Sequence, residues 1–107
     1  TMAIFYNKTL VSSGAETTVH VVDNTIGENV TINVTLIDPT VNAIVEIYVT
    51  DEEVSTDSAL LVKFPMGLSS GVIALERTDI WMLQFMRIIV KSTEDVAIQT
   101  YGQDGVL

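Results

Sequence analysis

The sequence predicts an all-β fold, a single antiparallel β-sandwich of seven or eight strands, Ig-like or jelly-roll in type. Three observations point there. The chain is rich in valine, isoleucine and threonine, whose branched Cβ suits a pleated sheet. Short stretches of apolar–polar alternation recur about every ten residues, with turn residues between them. No stretch sustains a helical period.

The elements follow in order. Residues 3–11 (AIFYNKTLV) are expected as a first strand or an N-terminal arm within residues 1–11, and Ser12-Ser13-Gly14 as a turn. Residues 16–22 alternate, with Val19 and Val21 on one side and Thr18, His20 and Val22 on the other. Asp23–Gly27 has loop chemistry. Residues 28–37 alternate most cleanly: Val30, Ile32, Val34 and Leu36 line a core face, and Thr31, Asn33 and Thr35 a solvent face. Asp38-Pro39-Thr40 ends that strand. In residues 42–50, Val45, Ile47 and Val49 are expected inward, and Glu46, Tyr48 and Thr50 outward. Residues 51–58 (DEEVSTDS) read as a solvated acidic loop. Residues 59–66 form a strand with Leu60, Val62 and Phe64 on one face, and Gly67–Gly71 a turn. Val72–Arg77, Met86–Lys91 and Val96–Tyr101 are the remaining strands, the last two joined through Ser92–Asp95.

A chain of 107 residues reads as one domain, residues 1–107. It has no cysteine, hence no disulfide framework and no thiolate metal site. Fourteen acidic residues against five basic ones give a formal charge of −9, which repels phosphate backbones and anionic lipids. Neither nucleic acid nor a membrane is expected as a partner, and no signal peptide or transmembrane run is apparent. Charged residues make up only 18% of the chain, which fits a surface partly covered by other subunits.

Chemistry is scarce. The one histidine, His20, sits mid-strand without a neighbouring His or Cys, and reads as a surface residue rather than a base or ligand. Asp51, Glu52, Glu53 and Asp57 lack the spacing of an EF-hand calcium loop. The sequons at Asn7, Asn29 and Asn33 fit chance in a threonine-rich chain. No catalytic residue, metal site or cofactor is therefore expected.

One stretch stands out. Residues 71–102 hold the only tryptophan and both arginines, and Ile80–Met86 is apolar at nearly every position, more than half-buried strand needs. Part of this segment belongs to the core. Trp81, Met82, Phe85 and Met86 are the expected subunit contact, because Trp and Met favour interface centres. Arg77 and Arg87 flank them as partners for a neighbour's carboxylates.

The order of features resembles small all-β virion structural proteins of tailed bacteriophages. The matching pieces are Thr18–Val22, the pair Val30–Leu36 and Val45–Val49, Ala59–Phe64, Ile73-Ala74-Leu75-Glu76, and the closing Arg87–Ser92 with Asp95–Gly102. The match covers roughly residues 10–102 and is a pattern of strands, not a catalytic signature. One departure is Gln84-Phe85-Met86, where the family pattern has a polar, glycine-containing turn. The resemblance implies a non-enzymatic capsid decoration or cement, neck, tail or fibre component. Such a protein is made in the host cytoplasm, resides in the virion, and forms homo-oligomers, often trimers, that bind other virion proteins. The alternative is a carbohydrate- or receptor-binding sandwich, adhesin-like, with Tyr48, Tyr101 and Trp81 as its aromatic platform.

Overall fold

β3 (Glu28–Leu36) shows most directly how the sequence makes this fold. Val30, Ile32, Val34 and Leu36 are buried on one side, and the residues between them face outward. In the computed structural model, which describes residues 4–105, β3 lies between two partners in the first sheet. That sheet runs β1 (Ile4–Val11), β8 (Val96–Asp104), β3, β6 (Ala74–Met82). The second runs β2 (Glu16–Val21), β7 (Arg87–Ser92), β4 (Asn42–Thr50), β5 (Leu60–Gly67). All pairings are antiparallel.

The two four-stranded sheets pack face to face as a β-sandwich. The core lies between them, with Val30, Ile32, Val34 and Ile98 of the first sheet meeting Val45, Ile47, Ile88 and Val90 of the second. Burying each such side chain contributes about 1.5–3 kcal/mol, which fixes the register because a one-residue slip would turn the set to water. Only β4 and β5 are neighbours both in sequence and within a sheet. Every other connection crosses to the opposite sheet. The first half of the chain thus pairs back on the second: β1 with β8, β2 with β7, β3 with β6, β4 with β5. This winding brings the β2–β3 loop, the β4–β5 loop and the β6–β7 turn to one end, beside the start of β1 and the end of β8. We call this end the tip.

Bulges account for the main differences from the sequence reading. In β2 the register shifts between Thr18 and His20. Val19 stays inside, but beyond the shift His20 and Val22 are buried and Val21 is exposed, so the expected faces are exchanged. β6 is longer than Val72–Arg77. Its register shifts opposite Val30–Ile32, and Asp79 takes φ 56°, so the strand resumes with a reset alternation. Ile80 and Met82 then point into the core and Trp81 to solvent. A third shift, between Ile47 and Tyr48, leaves Leu60 exposed while Val62 and Phe64 pack on the core.

The acidic loop is also more than a solvated connector. Tyr48 and Ile89 are cross-strand partners on the outer side of the second sheet, yet only 4% and 1% exposed. The β4–β5 loop, with its single 3-10 turn Asp57–Ala59, folds over them. Its Ser55 N–H donates to Glu16 on β2, which ties the loop across the sheet.

Candidate functional site

The β6–β7 connection is a four-residue turn, Leu83-Gln84-Phe85-Met86, closed by the Met86 N–H donating to the Leu83 carbonyl at 3.1 Å. Phe85 is its third residue and has φ 74°, while Gln84 is not in the positive region. That is the type II pattern, whose third position normally takes Gly or Asn because a Cβ is strained there. The turn is fastened to the end of β2. The Phe85 N–H donates to the Val22 carbonyl at 2.8 Å, and the Val22 N–H to the Met86 carbonyl at 2.9 Å. The Gln84 side chain adds a bond from Nε2 to the Asp23 carbonyl at 3.1 Å.

The turn therefore presents side chains from a fixed backbone. Trp81, Leu83 and Phe85 are 54%, 61% and 66% exposed. Ile26 on the adjoining loop and Ile4 at the start of β1 add apolar surface at the same end. Between the turn and the β4–β5 loop lies a groove of about 460 Å³, with Leu83 and Met86 on one wall and Asp51 and Glu52 on the rim.

Of the six expected contact residues, the structure gathers Trp81, Phe85 and Met86 at the tip, with Met86 half-buried against the core. Met82 is a correction. It is fully buried between the sheets, because the β6 bulge turns it inward, and it is core rather than contact. Arg87 begins β7 at the tip, and its Nε is buried without a hydrogen-bond partner. Arg77 is exposed on the β6 edge, before the bulge. Among the described residues neither arginine forms an ion pair. Leu83, which the sequence reading holds within the apolar segment Ile80–Met86 without naming it as a contact, is exposed on the turn.

The tip also buries the chain's one histidine, against the expectation of a surface residue. His20 is 8% exposed and hydrogen-bonded to Glu28 through Nε2. Asn7 Nδ2 lies 3.1 Å from Nδ1, and Phe5 stacks on the ring with centroids 4.6 Å apart. Asn24 Nδ2 donates to the other Glu28 oxygen at 2.9 Å and to Asp104 at 3.2 Å. With Asn7 donating, the proton sits on Nε2 and points at Glu28. Both ring nitrogens are engaged and one face is covered, so the ring has no lone pair free to activate a nucleophile. The network joins β1, β2, β3 and β8 across the two sheets and works as a polar clamp. Among the described residues no three His, Asp or Glu side chains come together to hold a metal, and the acidic loop is no exception.

The platform expected for a glycan does not form as drawn. Tyr48 is buried on the second sheet, while Tyr101 and Trp81 share the outer face of the first. Tyr6, Asn29 and Gln103 lie on that face too. Asn29 lies among the alternating polar positions of β3, where the sequence signal is the same as for plain solvent exposure.

Fold and site together define a β-sandwich with an exposed apolar tip on a rigid turn. The chain matches no protein-family model and no curated protein sequence. No helix among the described residues is long and apolar enough to cross a membrane.

Proposed function

We propose that this protein is a non-enzymatic structural component of a tailed-phage virion, in the capsid shell, neck, tail or fibre. In this reading it self-associates through the tip and binds other virion proteins. The observation that carries the reading is Phe85. A large, two-thirds exposed aromatic ring occupies a backbone position that favours Gly or Asn, so the fold bears local strain to present it. A partner that covers the ring accounts for that cost. The apolar neighbours, the groove beside them and Arg87, which forms no ion pair among the described residues, fit the same partner, with Asp51 and Glu52 as the acids a neighbouring copy's arginine would meet. The strand order supports the jelly-roll form of the sandwich over the Ig-like form, since the whole chain is one antiparallel ribbon folded at β4–β5 and rolled up.

The test is solution mass as a function of concentration, by light scattering or sedimentation. A closed homo-oligomer is expected, with apolar contacts that persist in high salt. Leu83→Ser, which removes exposed apolar surface at a turn, should shift the midpoint of assembly at least tenfold, with unfolding changed by only about 0.5 kcal/mol. A protein that stays monomeric at millimolar concentration would defeat the self-association reading.

A further inference from the structure

The outer face of the first sheet has a chemistry the tip does not share. Tyr101, on β8, donates its hydroxyl to Glu76 on β6 at 2.9 Å and accepts from Asn33 Nδ2 on β3 at 3.3 Å. β3 lies between β8 and β6, so a β8 side chain that meets Glu76 must lie across β3. The Tyr101 side chain is thus held across β3 by both bonds at its hydroxyl. Tyr6 sits opposite Tyr101 on β1, is 57% exposed, and its ring lies 6.5 Å away at an interplanar angle of 24°. The two rings are nearly parallel neighbours and form an aromatic patch, the floor of the site. Next to it is a shallow depression of about 320 Å³ that gathers Asn29, Asp79 and Gln103. Asn29 Nδ2 donates to Asp79 Oδ1 at 3.2 Å, which aims the carboxylate, and the β6 bulge sets the Asp79 backbone.

We propose that this face binds a neutral glycan, with one sugar ring stacked on the Tyr6–Tyr101 floor and its hydroxyls bonded by Asn29, Asp79 and Gln103. Ring C–H groups pack on an aromatic face, and carboxamides and a carboxylate each offer the paired donors or acceptors that neighbouring hydroxyls need. Charge selects the uncharged class: the chain carries −9, and a carboxylate lines the depression, so anionic sugars are repelled. β8 and β3, which carry Tyr101, Gln103 and Asn29, are paired along both edges, so a peptide strand could add only beside the site, at β1 or β6. The depression borders the tip, since Ile4 lines it and Trp81 is the cross-strand partner of Asn29, whereas Phe85 lies on the turn beyond it.

The experiment is an array of neutral and sialylated oligosaccharides, followed by titration of chitohexaose, cellohexaose and mannohexaose into isotopically labelled protein. The expected result is a neutral binder on the array and saturable amide shifts at Tyr6, Asn29, Tyr101 and Gln103 with at least one of the three probes. Tyr6→Ala removes an exposed side chain and should weaken binding at least about tenfold, and Gln103→Ala about fivefold. Phe85→Asn at the tip should leave binding unchanged. No neutral binder, shifts that map elsewhere, or wild-type affinity in Tyr6→Ala would overturn the proposal. So would shifts of the same amides with protein concentration alone, which would make the face a contact between copies.

Discussion

His20 and Glu28 form a polar contact in which both side chains are buried. A buried group left without its partner forfeits its desolvation energy in full. Glu28→Ala would strand the His20 Nε2–H and take from the Asn24 amide one of its two acceptors, Asp104 remaining, and should destabilise by about 2–4 kcal/mol. Glu28→Gln keeps an oxygen for Nε2–H but turns its amide onto the Asn24 donor, and should cost less than the alanine variant, about 1–2 kcal/mol. Denaturant unfolding midpoints distinguish the two, and equal losses would refute the clamp. The sequence concealed this pair for a definite reason. His20 was expected on a solvent face by counting alternate residues from Val19, and the bulge after Thr18 breaks that count. Nothing in the residues themselves marks the bulge, since it is set by pairing with β7.

At the scale of elements, straightforward strands were legible and interrupted ones were not. β3 alternates without a break, and its four core residues are those expected. β6 carries a bulge, and its apolar end looked like surplus when it was strand resumed out of phase. The β4–β5 loop was hidden differently. Its acidic residues look solvated, but what matters is the ground it covers. Tyr48, beneath it, donates to Glu46, and that bond together with burial and the carboxylates of Asp57 and Glu16 pushes the phenol up to about 12. A folded-state value above the unfolded one gives stability that is complete below pH ~10 and is lost as pH rises towards 12. The loss should be on the order of 2–3 kcal/mol. Tyr48→Phe should start about 1 kcal/mol less stable at neutral pH and lack most of this alkaline slope, leaving the smaller one from Tyr101, which Glu76 also holds above its ordinary value. Unfolding series at pH 8 to 12 test it, and parallel slopes in the two proteins would exclude Tyr48 as the source.

For the whole molecule, the sandwich was legible because its core obeys alternation, whereas strand order was not, since β1 pairs with β8 at the far end of the chain. The same winding puts three connections at the tip, so the site is a product of topology that no local stretch discloses. Phe85 ties the two levels together. In an isolated chain its ring is exposed and its backbone strained, so evolution for stability alone favours Asn there. Phe85→Asn should therefore raise the stability of the monomer, by about 0.5–1 kcal/mol in denaturant unfolding at low concentration. In the same protein, sedimentation at high concentration should show assembly weakened at least tenfold. The opposite signs are the diagnostic feature. A residue that serves only the fold of one chain would lose stability when replaced, or leave both quantities unchanged. Only a residue kept for a partner gives a monomer that is more stable and an assembly that is weaker.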